Sequence, residues 1–366
     1  MQFDFFPSKT MTVYLAKLFV VRILAVLAML VLVLQMLDLL SESGKILGVA
    51  GNGQAQLLTY VSLRMPQLVA RFLPYSALLA TIITLATLNQ NSEVIAMKAA
   101  GLSAHQVLAP LFLTAVLVAA ASFTFNERVV TRATSTLKAW QAVDYGVVPP
   151  QSAVKSNVWL TDGDNILFAQ TITGSGPGSV MNGVSWYRRD QAGMTQGIVR
   201  SPRATFANPG WKLDRPTGFQ VQSAQVAPLS DGTVIAPSVT PAQIAISKVD
   251  PDAESLSELG RSIAAMKAAG RRTGELEGSW WHKISGPLAA VLMPLLGAVA
   301  AFGLARSGQL FVRAVIGMGL GFAFFVVDNA ALAMGNFGGY PPFLAAWSAF
   351  VLFALIGETV LIRTEE

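Results

Sequence analysis

Residues 89–106, NQNSEVIAMKAAGLSAHQ, form a polar break between two long apolar segments. The apolar residues of this stretch recur at helical spacing and give one modest apolar face: Val94, Ile95, Met97, Ala99 and Leu102. Glu93 falls in the first turn, where the helix dipole favours a carboxylate, and Gly101 is a typical stop signal. Ser103 and Gln106 match a capping box for the next helix. The pattern fits either a surface helix linking two membrane helices or a helix that docks into a partner's groove.

The composition is that of a membrane protein. Of 366 residues, 53% are hydrophobic and only 13% are charged, whereas soluble domains average about 25% charged residues. The net charge of +5 comes without a basic run, so we exclude nucleic acid as a partner and attribute the positive balance to topology and anionic lipid. The chain has no cysteine, and its two histidines, His105 and His282, are far apart in the sequence. We therefore expect neither a disulfide nor a metal site.

Six apolar segments are long enough to cross a bilayer, which takes about 20 residues. The predicted spans are 15–34, 66–88, 107–125, 285–302, 314–334 and 343–362. Lys9, Lys17 and Arg22 flank or enter the start of the first span, and this basic edge predicts a cytoplasmic N-terminus. Residues 38–65 are polar and contain glycine, so we expect an external loop between the first two spans.

From Asn126 to about Gly278 the long apolar runs give way to short alternating segments. Three pairs of such segments flank turn-forming sequences: VWL (158–160) and ILF (166–168) around TDGDN, VSWY (184–187) and GIVR (197–200) around RRDQAGMTQ, and ATF (204–206) and WKL (211–213) around ANPG. These pairs are typical of antiparallel hairpins, and several together indicate a sandwich or jelly-roll.

The predicted fold is a polytopic α-helical membrane protein with six transmembrane helices, three on either side of an inserted antiparallel β jelly-roll domain. The predicted limits are 1–126 for the first three spans, with the short helix at 89–102, then 127–278 for the β domain and a connecting helix, and 279–366 for the last three spans. Counting crossings from a cytoplasmic N-terminus puts both termini in the cytoplasm and the β domain outside, which in a Gram-negative cell is the periplasm.

The sequence carries no recognisable catalytic set. Gly44 and Lys45 do not form a phosphate loop, because Ile46 replaces the required Ser or Thr and the leading glycine is missing. Asp162 and Asp164 straddle a turn, where aspartate is ordinary turn chemistry. We predict that this chain is not an enzyme and binds no cofactor itself.

Two polar residues, Asp328 and Asn329, lie within the fifth span. An acid at membrane depth fits either a proton path or an interhelical hydrogen bond, and the second is favoured because no other acid lies deep in another span. Pairs of small residues four apart also occur in the later spans: Gly317 with Gly321, and Gly297 with Ala301. Such pairs allow close helix packing, either within the chain or against a second subunit.

Five basic residues fall at or near the outer ends of the first three spans: Arg64, Arg71, Arg128, Arg132 and Lys138. Their position runs against the positive-inside bias and therefore asks for a reason. They fit either a binding site for an anionic, phosphate-bearing ligand or a solvated rim.

Several strings, spread along nearly the whole chain, resemble the lipopolysaccharide export permease family LptF/LptG: SEVIAMKAAGLS (92–103), NERVV (126–130), DPDAESLSEL (250–259), WHKISGPLAAVLMPLLG (281–297) and FFVVDN (324–329). The first string is the most specific, and the third, the DPDA string with its following helix, is closer to LptG than to LptF. The sequence departs from the family at Gln35, where a lysine is frequent, at Thr131, where proline is usual, and at Gln141, where a basic residue is expected.

The resemblance implies a permease subunit of an ABC transporter in the Gram-negative inner membrane. Such a subunit extracts lipopolysaccharide and passes it to a periplasmic bridge toward the outer membrane. The implied partners are an LptB-like ATPase dimer that binds ATP and Mg²⁺, an LptF-like membrane partner, and LptC/LptA-like periplasmic jelly-roll proteins. Residues 89–102 would be the coupling helix, with Glu93 at the contact with the ATPase, and the first and fifth spans would form lateral gates.

Two other function classes stay open on the sequence alone. A gradient-driven secondary transporter would need an ion path, for which Asp328 is a single candidate residue. A membrane-anchored periplasmic scaffold would use only its β domain and would not need the 89–102 helix to contact an ATPase.

Overall fold

The computed structural model describes residues 7–147, 155–174, 176–190, 192–241, 243–244, 249–268, 270–302 and 310–365. Its helices are α1 (Lys9–Leu47), α2 (Gln54–Gln90), α3 (Glu93–Ala99), α4 (Ala104–Phe125), α5 (Thr131–Ala142), α6 (Leu256–Ala268), α7 (Gly274–Phe302), α8 (Leu310–Asn336) and α9 (Pro342–Glu365). A π-helix, Asn126–Val130, joins α4 to α5. Six helices of the described chain are long and apolar enough to cross a membrane. The predicted three-plus-three arrangement is therefore confirmed.

The external loop expected at 38–65 is wrong. Helix α1 continues to Leu47 and α2 begins at Gln54, which leaves only residues 48–53 between them. At 1.5 Å per residue, the 39 residues of α1 extend for about 58 Å, against a hydrocarbon thickness of about 30 Å. The polar residues that suggested a loop instead pair across helices, as Asp38 does with Tyr60 and Arg64.

Contacts divide the chain into two compact units. The helical unit comprises the described residues of Met1–Leu37, Met65–Val130 and Arg272–Glu366, and the insert unit comprises those of Asp38–Arg64 and Thr131–Arg271. The C-terminal end of α1 and the N-terminal end of α2 thus group with α5 and the β strands rather than with the apolar spans.

Close packing of small residues builds the helical unit. A Cβ added at Gly297 of α7 would lie 2.6 Å from Thr81 Cγ2 of α2, and one at Gly321 of α8 would meet the side chain of Leu78. Both glycines therefore let their helices approach α2 within the same chain. Of the two readings of these small residues, these contacts support packing within the chain.

The insert unit contains one eight-stranded antiparallel sheet. Its strands are β1 (Lys155–Asp162), β2 (Asn165–Thr173), β3 (Val180–Arg189), β4 (Thr195–Phe206), β5 (Trp211–Asp214), β6 (Thr217–Gln220), β7 (Gln225–Pro228) and β8 (Val234–Ile235). The first five pair in chain order, and β4 branches, since 203–206 pair with β5 and 197–200 pair with β6. All three predicted hairpins are present, and the inserted antiparallel β domain is confirmed.

Two apolar clusters stabilise the insert unit. One lies on the sheet and centres on the fully buried Trp211, whose indole N–H donates to the Val239 carbonyl oxygen. The other joins the C-terminal end of α1 and the N-terminal end of α2 to α5 around Trp140, which is also fully buried and donates to the Gly146 carbonyl oxygen. Burial of indoles with their N–H satisfied is the low-energy arrangement for tryptophan.

Candidate coupling helix and lipid-contact residues

Helix α3 is a short helix fixed to the core of the helical unit. It begins after Ser92, which has a left-handed backbone (φ 59°), and it ends at Ala99, two residues before Gly101 (φ 85°). Val94 and Met97 are each only 4% exposed and belong to the main apolar cluster of the unit. Both ends of α3 are therefore closed by turns, and its inner side is anchored.

The predicted apolar face of this stretch is divided between two directions. Val94 and Met97 point inward, and Leu102 packs partly buried against the same cluster. Ile95 points outward and is 65% exposed. Its neighbours Ala96 and Ala99 are also exposed. Ile95 is therefore the large apolar side chain that α3 leaves exposed, while the other three pack against the helical unit.

Glu93 is tied to the first helix of the chain. Its carboxylate accepts hydrogen bonds from the Tyr14 hydroxyl, at 3.2 Å and 3.4 Å to its two oxygens, and from the Asn91 side-chain amide at 3.2 Å. Tyr14 lies near the start of α1. These hydrogen bonds therefore connect the start of α3 to the start of α1.

The start of α4 is also fixed. Ser103 and Gln106 form the predicted capping box, with both reciprocal hydrogen bonds present. His105 Nε2 lies 2.9 Å from Glu358 Oε1 of α9. The second tie could not be predicted, because the two residues are distant in the sequence.

Two of the five predicted phosphate-binding residues already have carboxylate partners. Arg64 makes a two-point contact with Asp38, with both nitrogen–oxygen distances at 3.1 Å. Lys138 Nζ lies 2.6 Å from Asp250 Oδ2 and 3.6 Å from Asp252 Oδ2. Both basic residues therefore serve internal contacts of the insert unit.

The other three predicted residues, Arg71, Arg128 and Arg132, are exposed. Arg71 and Arg128 belong to the helical unit and Arg132 to the insert unit. None of them makes a salt bridge to another residue that the structure describes. Arg128 lies on the π-helix, a feature that often marks functional sites and that no pattern in the sequence revealed.

Gln35 is a buried polar residue of α1. It is 6% exposed, and neither its amide oxygen nor its amide nitrogen has a hydrogen-bond partner among the described residues. It lies on α1 one turn after Val31, which packs in a small cluster with Leu68 of α2.

Asp328 and Asn329 have different surroundings. Asp328 is 8% exposed, and its Oδ2 lies 3.9 Å from His282 Nε2 of α7. Asn329 is exposed and donates to the Phe325 carbonyl oxygen of its own helix at 2.7 Å. The contact of Asp328 is thus interhelical, and its partner is a histidine that sequence reasoning had treated as isolated.

Among the residues that the structure describes, His, Cys, Asp and Glu side chains nowhere gather in the groups of three or more that could hold a metal ion. The expectation that the chain itself binds no cofactor stays a prediction.

Comparison with known proteins covers nearly the whole chain. The profile of the family described as lipopolysaccharide export system permease LptF/LptG matches residues 13–363. The chain is 26% identical over 369 aligned residues to the lipopolysaccharide export system permease protein LptG of Escherichia coli (strain K12), covering 98% of this chain and 99% of that protein. It is 22% identical over 316 residues to LptG of Haemophilus influenzae, covering 85% and 87%. The chain therefore belongs to the LptF/LptG family of lipopolysaccharide export system permeases.

Proposed function

We propose that this chain is the LptG-type permease subunit that takes lipopolysaccharide out of the inner membrane and passes it toward the outer membrane. Its six apolar helices support a multi-pass inner-membrane location. In the proposed topology both termini are cytoplasmic, so α3 faces the cytoplasm and the β insertion faces the periplasm.

The energy for this transport comes from another subunit. Withdrawing acyl chains from a bilayer costs about 0.8 kcal/mol of free energy per CH₂. Extracting a lipid with several acyl chains therefore costs far more free energy than a single protein–lipid contact contributes. The sequence has no phosphate loop. An LptB-like ATPase dimer, which binds ATP and Mg²⁺, is therefore the proposed energy source, and its ATP hydrolysis would drive conformational change in this chain.

The observation that carries this proposal is the two-sided geometry of α3. Its inner side, Val94 and Met97, is buried in the core of the helical unit, while Ile95 is 65% exposed on the outer side. A short helix that is anchored on one side and presents an apolar residue on the other fits docking into a groove. Closure of the ATPase would then shift α3 together with the helices to which it is anchored.

The remaining partners are proposed from the rest of the chain. A second, LptF-like permease would complete the cavity by facing α1 and α8, whose most apolar segments are each only 28% buried. Strand β1 pairs only with β2 among the described strands, so its other edge can add a strand from an LptC/LptA-like protein. Arg71, Arg128 and Arg132 are the stronger lipid-phosphate candidates, because Arg64 and Lys138 are held by carboxylates.

The test is co-purification of the ATPase subunit with tagged variants from a detergent extract. Ile95→Glu places a charge on the exposed side of α3 and should remove the ATPase while leaving this chain folded. Met194→Glu is the matched control, since Met194 is 69% exposed on the turn between β3 and β4, and it should retain the ATPase. Normal recovery of the ATPase with Ile95→Glu would refute docking through α3 and would favour the scaffold reading.

A further inference from the structure

The acidic turn at Asp250–Glu254 is joined to three different elements of the insert unit. It lies just before α6 and holds its own shape, because the backbone N–H of Asp252 donates to Asp250 Oδ1 and those of Ala253 and Glu254 donate to the Asp250 carbonyl oxygen. One carboxylate oxygen of Asp250 thus shapes the turn, while the other remains for Lys138.

The first connection leads to α5. Lys138 Nζ donates to Asp250 Oδ2 at 2.6 Å and lies 3.6 Å from Asp252 Oδ2. The side chain of Lys138 is 41% exposed and that of Asp250 is 29% exposed, whereas that of Asp252 is 80% exposed. The Asp250 contact is the stronger of the two, because it is shorter and better shielded from water.

The second and third connections start at Glu254. Its carboxylate accepts a hydrogen bond from the Ser262 hydroxyl of α6 at 2.9 Å, and it attracts the ammonium of Lys155 at the start of β1. Lys155 Nζ also donates to the Ile244 carbonyl oxygen at 3.2 Å. Burial raises the pKa of Glu254 and lowers the pKa of Lys155, so their mutual attraction acts in a shielded setting.

The three elements joined by the turn lie at the two ends of the β insertion in the sequence. Helix α5 follows α4 and the π-helix without a break, β1 opens the sheet, and α6 is the last described helix before α7. The turn therefore lies where the chain enters and leaves the β insertion, and it joins both ends through side-chain charges.

We propose that the Asp250–Glu254 turn is an electrostatic clasp that makes the β insertion follow the movement of α5, and that Lys138 is a positioning residue of this clasp rather than a lipid-phosphate contact. The inference rests on the proposed transport function, because a clasp matters only if the spans move. Without the Lys138–Asp250 bond, α5 could move without carrying the turn, and ATP would be hydrolysed with less lipid delivered.

The experiment measures lipopolysaccharide delivered to a periplasmic acceptor protein per ATP hydrolysed, in proteoliposomes that hold the complete complex. Lys138→Met should lower this ratio by about fivefold or more, the range of ordinary coupling energies, with the ATPase rate and the amount of assembled complex unchanged. Lys212→Met, a matched loss of an exposed lysine on β5, should leave the ratio at the wild-type value.

Asp250→Asn distinguishes the clasp from direct phosphate binding. Asparagine keeps a side-chain oxygen that can accept from the Asp252 N–H and removes the charge that holds Lys138, so the clasp predicts the same fall in the delivery ratio as in Lys138→Met, whereas phosphate binding by Lys138 predicts no fall. A wild-type ratio in Asp250→Asn or in Lys138→Met, in a complex that assembles normally, would overturn the clasp. A wild-type complex that delivers no lipid with ATP would instead refute the proposed function.

Discussion

The helical unit and the insert unit are stabilised by different interactions. In the helical unit, glycines bring α7 and α8 against α2 beside a large apolar cluster, and buried hydroxyls such as that of Thr81 donate to carbonyl oxygens of their own helix. In the insert unit, ion pairs and polar contacts such as Asp38–Arg64 and Lys138–Asp250 accompany two apolar clusters. Helices in lipid gain no hydrophobic driving force from association and depend on close fit, whereas groups in water can use burial and charge together.

This difference determines how each unit responds to small displacements of its side chains. A close-packed interface has a few discrete arrangements, since small overlaps are costly. Ion pairs of moderate exposure tolerate small shifts without loss of attraction, because Coulomb energy changes slowly with distance. The packing of the helical unit is therefore limited to a few defined arrangements, whereas the charged contacts within the insert unit tolerate small shifts.

The largest expected effect tests the apolar part of the insert unit. Trp140→Ala removes a fully buried side chain and should cost about 3–5 kcal/mol of unfolding free energy. Trp159→Ala is the matched control, because Trp159 is 57% exposed. Thermal unfolding of the detergent-purified chain should show a large loss for the first variant and a small one for the second. Equal losses would show that Trp140 is not the centre of this cluster.

The next test addresses close fit in the helical unit. Gly297→Val would place its Cβ 2.6 Å from Thr81 Cγ2, and overpacking of this kind costs about 1–3 kcal/mol. Gly319→Ala, with open space around its Cβ, should keep the wild-type melting temperature. If Gly297→Val melted like the wild type, close approach of α7 and α2 would not be a constraint.

Charge pairing in the insert unit should give a somewhat smaller effect. Arg64→Met leaves the Asp38 carboxylate with the Tyr60 hydroxyl but without its guanidinium, which should cost about 1–3 kcal/mol. Arg132→Met removes an exposed arginine and should change stability by less than about 0.5 kcal/mol. Denaturant titration of both variants checks this, and a wild-type stability of Arg64→Met would show that the contact with Asp38 does not stabilise the insert unit.

A pH test sharpens the same contrast. Burial and the hydrogen bond to Glu42 raise the pKa of Tyr145 to about 12, above its ordinary value of 10.0. A pKa raised on folding gives stability that is present below about pH 10 and lost as the pH rises through about 12. Tyr145→Phe should therefore be less stable than the wild type at neutral pH, and the difference should shrink in this alkaline window. A constant difference across the window would contradict the Tyr145–Glu42 bond.

The smallest effect is expected at Asp328. Asp328→Asn keeps the size of the side chain and a side-chain oxygen that can accept a hydrogen bond from His282, whose Nε2 lies 3.9 Å from Asp328 Oδ2, so the interhelical contact does not require a carboxyl group. The rate of ATP-driven lipid delivery by the complex should remain within about twofold of the wild type, which corresponds to a change of about 0.4 kcal/mol in activation free energy. Complete loss of delivery in a folded variant would support the gradient-driven reading instead.

Periodicity predicted the fold well because it depends on local pattern. Span number, the three hairpins and the Ser103–Gln106 capping box all follow from residues close in the sequence. The loop predicted at 38–65 was wrong because polar residues there pair with residues of other elements, as Glu42 does with Tyr145 in the turn after α5. Contacts over such separations leave no periodic signal.

The candidate site was less predictable for the same reason. The sequence identified Lys138 as basic, but only the structure supplies its partner Asp250, more than a hundred residues away. Likewise, helical spacing grouped Val94, Ile95 and Met97 on one apolar stripe, and the structure decides which of them is exposed. A sequence gives the charge and polarity of a side chain, whereas its availability to a ligand depends on tertiary contacts.

The most direct measurement of the central claim compares lipid delivery by the chain alone with delivery by the complete complex. Proteoliposomes containing lipopolysaccharide are supplied with ATP and a periplasmic acceptor, and both delivered lipid and released phosphate are counted. The account predicts neither lipid delivery nor phosphate release from this chain alone, and both once the ATPase and the second permease are added. Delivery or ATP hydrolysis by the isolated chain would contradict it.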